Sequence, residues 1–257
     1  MLNQHQARSN WTIILGSVCL LFLNFTGQTN FLSEQKKFER VRISFTEKEA
    51  LVQTALKNKH LTSTNFNLLL IAYKAEGILE LYVKAKNKSA YSLLTHYSIC
   101  ASSGHLGPKR RYGDAQVPEG FYQINRFNPS SNYYLSLGLN YPNQADKLKS
   151  SASNLGGDIF IHGSCVTIGC MPLTDDKIKE VYLYAILAKN NGQEKIPVYV
   201  FPYRMNNENQ KEYASTYRNY PELVSFWKNL KTGYDRFKTN SQELNVSVNR
   251  EGEYTFN

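Results

Sequence analysis

The spacing of apolar positions divides the chain into segments of different period. Between residues 29 and 62 the spacing is helical: Ala50, Leu51, Ala55 and Leu56 form one stripe, and Thr46-Glu47-Lys48-Glu49 reads as a capping box opening that helix. From Phe66 the period shortens to two. Residues 66–73 are apolar and β-rich, Lys74-Ala75-Glu76-Gly77 turns, and Leu79, Leu81 and Val83 alternate with Glu80, Tyr82 and Lys84, predicting a hairpin with one wet face. Short strands are expected at 93–99, 120–126, 133–139 and 158–162, between loops rich in Gly, Pro, Asn and Ser. Thr174-Asp175-Asp176 then caps a helix with the buried stripe Ile178, Val181, Tyr182, Ala185 and Ile186, and Gly192 ends it. A strand follows at 196–201 and a polar loop at 206–219. Pro221 opens an amphipathic helix carrying Leu223, Val224, Trp227 and Leu230, and residues 244–256 close a hairpin around Arg250-Glu251-Gly252. This order, α then mostly β with two late helices on the sheet, predicts the α+β class.

Composition narrows the function classes. The 257 residues are 42% hydrophobic and 20% charged, which excludes a disordered chain and a membrane bundle. Thirty Lys and Arg against 21 Asp and Glu give a net charge of +9, scattered rather than gathered into the stripe a nucleic-acid binder uses. Trp11 to Phe25 is a nearly unbroken apolar run of 15 residues, short for a spanning helix and suited to a signal peptide. Residues 1–27 are therefore read as a signal peptide or an uncleaved N-terminal anchor, and the body as exported.

Export changes the meaning of the cysteines. Beyond Cys19 the chain holds Cys100, Cys165 and Cys170, an odd number for an oxidising compartment. Cys100 and Cys165 could pair and leave Cys170 alone. An exported free thiol is a liability unless it does chemistry.

The chemistry concentrates in Gly156-Gly157-Asp158-Ile159-Phe160-Ile161-His162-Gly163-Ser164-Cys165-Val166-Thr167-Ile168-Gly169-Cys170. A strand carries His162 to its end, and a glycine-bounded loop presents Cys170 eight positions later. An imidazole beside a thiol makes it a nucleophile, and the backbone amides around Gly169 and Cys170 could receive an oxyanion. The plain alternative is a strand-capping histidine and a small core cysteine. A zinc site is the weaker reading, because His162, Cys165 and Cys170 have no CxxC spacing and no fourth ligand close in sequence. No cofactor is indicated.

These residues resemble the active-site motif of the YkuD-type L,D-transpeptidase catalytic domain, in its YafK-like branch. Matching segments follow in order: Leu106-Gly107-Pro108-Lys109, the run from Gly113-Asp114 through Pro118-Glu119-Gly120, Asn128-Pro129-Ser130, Tyr141-Pro142-Asn143 with Asp146, His162-Gly163 to Gly169-Cys170, and Phe226-Trp227-Lys228-Asn229-Leu230. The resemblance implies a mostly β catalytic sheet or barrel over 66–204, preceded by a helical preface at 28–65 and followed by a C-terminal helix and tail at 205–257. It implies a Cys170 nucleophile forming a thioester with peptidoglycan stem peptides at meso-diaminopimelate, with His162 as general acid/base and Gly169 at the oxyanion hole. Gly113-Asp114 is read as a turn that positions a strand. Two positions depart from the common pattern: Ile168 stands at a histidine, and Pro172 at the arginine tied to substrate-anion binding. Lys109, Arg110 and Arg111 are candidate replacements, with a solvated basic loop as the plain alternative. The departures fit a branch associated with hydrolysis, releasing a peptidoglycan-bound lipoprotein. Three readings stand: transpeptidation, hydrolysis as an amidase, and a non-catalytic wall-binding module. All place the chain in the periplasm.

Overall fold

The structure is a computed structural model and describes Met1 and residues 30–257. The apolar run at 11–25, and with it the signal peptide or anchor, lies outside the described residues. Two helices come first, α1 (Phe31–Gln35) and α2 (Glu39–Lys57), then the strands β1 (Asn67–Tyr73), β2 (Ile78–Lys84), β3 (Ser92–Ser98), β4 (Gly120–Asn128) and β5 (Ser136–Leu139). After α3 (Gln144–Lys149) come β6 (Phe160–His162), β7 (Met171–Pro172), α4 (Asp175–Asn190) and β8 (Ile196–Phe201). The chain ends with α5 (Asn207–Thr216), α6 (Pro221–Asn240) and a hairpin of β9 (Val246–Val248) and β10 (Tyr254–Phe256). The class is α+β, as the periodicity predicts.

Eight strands form one mixed sheet in the order β3-β2-β1-β8-β4-β5-β6-β7, with the β1–β8 and β6–β7 pairs parallel. One face carries Leu68, Leu70, Leu137 and Ile161 against α4, which is buried continuously from Glu180 to Ala188. The other carries Leu69, Ile71, Tyr73, Phe121 and Tyr199 beneath α6 and the C-terminal hairpin. The sheet curls until its edges meet. Just past β3 the Cys100 amide donates to the Pro172 carbonyl of β7 at 3.0 Å, and the Cys100–Cys165 disulfide closes the same seam.

Three local expectations are corrected. Thr46 does not start a helix: α2 begins at Glu39, because Val41, Phe45, Val52 and Leu56 form the stripe that packs, while Leu51 is exposed. Glu47 and Lys48 instead reach α4, pairing with Lys179 and with Asp176 and Glu180. The β2 strand has no wet face, since Glu80 and Tyr82 are covered and Glu80 pairs with Arg204 at 2.6 Å. The polar loop at 206–219 contains α5, a helix with no buried residue. Asn206 caps it through the Asn209 amide, and Tyr213 stacks on Tyr203 at 4.0 Å, so capping and one aromatic contact hold what periodicity hides.

Candidate active site

The short strands β5, β6 and β7 bring the predicted residues to one face. The parallel register pairs Ile161 with Met171 and His162 with Pro172, which puts Cys170 one position before β7, level with Phe160. Alternation sends Ile161 and Met171 into the core and leaves Phe160, His162 and Cys170 on the opposite face. His162 is buried, with its ring under Tyr133 at 4.6 Å between centroids. Its Nδ1 lies 2.5 Å from the Gly163 carbonyl oxygen. A carbonyl only accepts, so this contact assigns the proton to Nδ1 and leaves Nε2 with a free lone pair. Burial draws the His162 pKa below the ordinary imidazole range, against the opposing pull of the Gly163 bond.

Cys170 is the free thiol among the described cysteines, and it is partly exposed. Its Sγ donates to the Asp158 carbonyl at 3.6 Å. Burial pushes its pKa up; the Phe160 amide, which favours the thiolate, and the more distant charge of Lys109 pull it down, while the Asp158 carboxylate adds to the rise. Both shifts favour the neutral forms, thiol and imidazole.

The loop between them is fixed at several points. The Ser164 amide donates to Asp175 at 2.8 Å, at the start of α4. Cys165 is bonded to Cys100. Thr167 Oγ1 accepts from the Gly169 and Cys170 amides at 3.2 and 2.7 Å and donates to the Cys170 carbonyl at 2.9 Å. The amides that sequence assigned to an oxyanion are thus held by this hydroxyl. Gly169 has φ +130° and a Cβ there would lie 3.0 Å from the Gln116 carbonyl oxygen, so it is glycine because another backbone crosses it closely. Asp158 and Ser164 also have positive φ, marking the strain held around the thiol.

The basic loop is mostly occupied. Lys109 is buried and bound to Asp114 at 2.6 Å. Arg110 pairs with Asp146 at 3.1 Å and lies over Phe226, leaving Arg111 exposed. Asp114 also accepts from the Arg110, Arg111 and Gln116 amides, tying residues 109–116 into one turn. Its burial favours the neutral form, but Lys109 and these amides outweigh it and hold the carboxyl below the usual range. Buried Glu119 joins the Gly107 amide, Lys74 and the Trp227 indole at 2.7, 3.0 and 2.8 Å. A cavity of about 460 Å³ runs along the seam, lined by Cys170, Cys100, Lys74, Ser102 and His105. His96 lies on the exposed side of β3. Among the described residues no three His, Cys, Asp or Glu side chains gather closely enough to hold a metal ion, and no helix is long and apolar enough to cross a membrane. Sequence reasoning passed over Thr167, Tyr133 and Asp158, which have no motif of their own; the signal for Thr167 was a hydroxyl three positions before Cys170.

Comparison with known proteins identifies the family. The family described as L,D-transpeptidase catalytic domain, YkuD, matches residues 69–200. YafK of Escherichia coli strain K12, assigned by name to the L,D-transpeptidases, is 39% identical over 178 residues, covering 68% of each chain, and the same match holds for YafK of strain O157:H7. Among solved structures, the helical cell shape determining protein Pgp2 from Campylobacter jejuni matches with a TM-score of 0.43 and 19% identity over 71% of this chain and 73% of that one. Bdellovibrio bacteriovorus Bd1075 matches with a TM-score of 0.39 and 18% identity over 72% and 76%. The family match spans half the chain, includes both His162 and the strand pairing that presents Cys170, and is joined by a relative of high identity over two thirds of both sequences: the chain belongs to the YkuD L,D-transpeptidase catalytic domain family.

Proposed function

We propose that this chain is an exported cysteine enzyme that acts on peptidoglycan stem peptides at meso-diaminopimelate through a thioester on Cys170. The observation that carries the reading is a free thiol on the same sheet face as a histidine whose Nδ1 is fixed on a backbone carbonyl. In the reaction, the Cys170 sulfur attacks the diaminopimelate carbonyl while its proton passes to Nε2 of His162. The carbonyl–nitrogen bond then breaks, and His162 returns the proton to the leaving amine. An amine acceptor or water attacks the thioester, gives its proton to His162, and releases the Cys170 thiolate, which takes that proton back. Thr167 turns aside to free the Gly169 and Cys170 amides for the oxyanion. Lys109 acts on the thiol through its charge, and Arg110 and Arg111 edge the approach.

In this reading the labour is divided between a preface at 28–65, the catalytic unit at 66–204, and a C-terminal helix and tail at 205–257. With an amine acceptor the outcome is cross-linking and wall remodelling. With water it is an amidase reaction that frees a lipoprotein joined to diaminopimelate through lysine. Purified protein incubated with sacculi carrying bound lipoprotein, with products read by mass spectrometry, tests the reading. Diaminopimelate–diaminopimelate bonds identify transfer, and free lipoprotein identifies hydrolysis. Neither product, with Cys170 still reactive towards alkylation, overturns the enzyme reading in favour of a wall-binding module.

A further inference from the structure

A row of residues crosses the sheet to the thiol. The β4–β5 register pairs Arg126 with Gly138, the β5–β6 register pairs Gly138 with Phe160, and Cys170 lies level with Phe160. Arg126 reaches this face through a bulge: the register shifts between Ile124 and Arg126, so the extra residue Asn125 reverses the alternation that buries Ile124. Its side chain then lies across Gly138. A Cβ on Gly138 would meet Arg126 Cβ at 3.1 Å and Nε at 3.2 Å, so the position is open because the arginine crosses there. The guanidinium carbon ends 4.6 Å from the centroid of the Phe160 ring. The amide of that same Phe160 favours the Cys170 thiolate.

Arg126 differs from the other cations near the site. Lys109 is buried against Asp114, and Arg110 is committed to buried Asp146. The Arg126 side chain is 50% exposed, and its partner is the Asp158 carboxylate at 2.8 Å, itself 79% exposed. Such a surface pair contributes little and is easily exchanged. Phe160 and Gly138 lie beneath the Arg126 side chain, and a guanidinium fork suits bidentate recognition of a carboxylate.

We propose that Arg126 is the carboxylate anchor of this cleft: it binds a substrate carboxylate held about one strand spacing, ~5 Å, from the attacked carbonyl, and Asp158 occupies it until the substrate exchanges in. This rests on the reading of Cys170 as nucleophile and names the chemical class of its substrate, a peptide unit carrying a free carboxylate close to the scissile bond. It takes the substrate-anion role considered for the loop at 109–111, where Lys109 and Arg110 are committed to Asp114 and Asp146.

Alkylation of Cys170 tests the anchor without requiring turnover. The probes are iodoacetate, which carries a carboxylate, and neutral iodoacetamide, applied to the full protein. The ratio of their rates at Cys170 should fall in Arg126→Met by about tenfold or more, the value of one charge-assisted hydrogen bond, with the iodoacetamide rate unchanged. Asp158→Asn should raise the ratio by removing the competing carboxylate, and Arg126→Lys should restore only part of it. A ratio unchanged in Arg126→Met overturns the proposal, as does an equal fall with both reagents. On stem peptides, Arg126→Met should raise KM when the diaminopimelate carboxylate is free and leave it unchanged when it is amidated. A protein that turns over no stem peptide but keeps the alkylation difference refutes the enzyme reading and retains the anchor.

Discussion

Two regions of this molecule are held together by different forces. Helix α4 is buried without interruption from Glu180 to Ala188 between the sheet and the N-terminal helices, and its Val181, Leu183 and Ile186 are fully inaccessible. At the seam of the curled sheet, β6 has three residues and β7 two, and Ile168 on the connecting loop is 86% exposed. What fixes the seam is directional: Ser164 on Asp175, Thr167 on the Cys170 amide, His162 on Gly163, and a disulfide. Apolar burial is strong and non-directional, so it stabilises the body without placing any one atom. Hydrogen bonds and a covalent link place atoms while adding little net stability each. The thiol sits where placement matters, on a scaffold where burial does the holding.

The largest expected effect separates the two functions of these regions. If the proposed thioester is formed, Cys170→Ser should lower turnover on sacculi by about 10⁴-fold or more, as for removal of other covalent nucleophiles, because a serine hydroxyl cannot form it. The melting temperature should stay within a few degrees, since the side chain is a small one at the rim. Retained wild-type rate would remove Cys170 from the mechanism.

One chemical change made in both regions sharpens the contrast. Ile186→Ala, at a fully buried position, should cost about 2–5 kcal/mol by lost burial and the cavity left behind. Ile168→Ala removes the same atoms from an exposed position and should change stability by less than about 0.5 kcal/mol. Urea unfolding of the two variants measures both. Comparable losses would mean that the loop packs against the body in solution.

The disulfide tests the seam directly. Cys100 and Cys165 are 65 residues apart in sequence and close where the two sheet edges meet. Replacing both with Ser should cost about 2–4 kcal/mol, mainly through the freer unfolded chain. The α4 layer should keep its hydrogen-exchange protection while amides in residues 163–172 lose theirs. Loss of protection throughout α4 would show that the seam and body unfold as one unit.

How much of this was legible in sequence follows the same division. The α4 cap at Thr174, the turn at Lys74–Gly77, most strands and the closing hairpin carry local signals, and the structure shows Thr174 accepting from the Lys177 amide as that signal requires. That His162 and Cys170 come to one sheet face was legible from the order of motifs. The two-residue β7 was not, because it exists only through pairing with β6. Helix α5 was hidden by its polarity, and α2 was started too late because its stripe is defined by contact with α4 rather than by its own caps. Arg126 was invisible for a related reason: one bulge at Asn125 decides which face it takes, and no residue type announces that register shift.

The smallest prediction compares two carboxylates paired with the basic loop, Asp114 with Lys109 and Asp146 with Arg110. Asp114 is stabilised as an anion by Lys109 and three backbone amides, whereas burial dominates at Asp146 and raises its pKa to about 6, despite Arg110, the Asn143 amide and Tyr122. The signs therefore oppose each other. Asp146 binds its proton more tightly in the folded state than in the unfolded chain, so its contribution is complete below the ordinary carboxylate range and is lost as pH rises through about 6. Asp114, held low, contributes above that range and loses its contribution as pH falls. Between pH 4 and 6 Asp146 should thus subtract of order 1 kcal/mol from stability as pH rises. Urea unfolding at closely spaced pH values measures the slope. Asp146→Asn should remove this component and make stability climb more steeply from pH 4 to 6, while Asp114→Asn should flatten the rise below pH 4. An Asp146→Asn slope identical to wild type would mean that Arg110 keeps Asp146 ionised throughout, and that the two carboxylates behave alike.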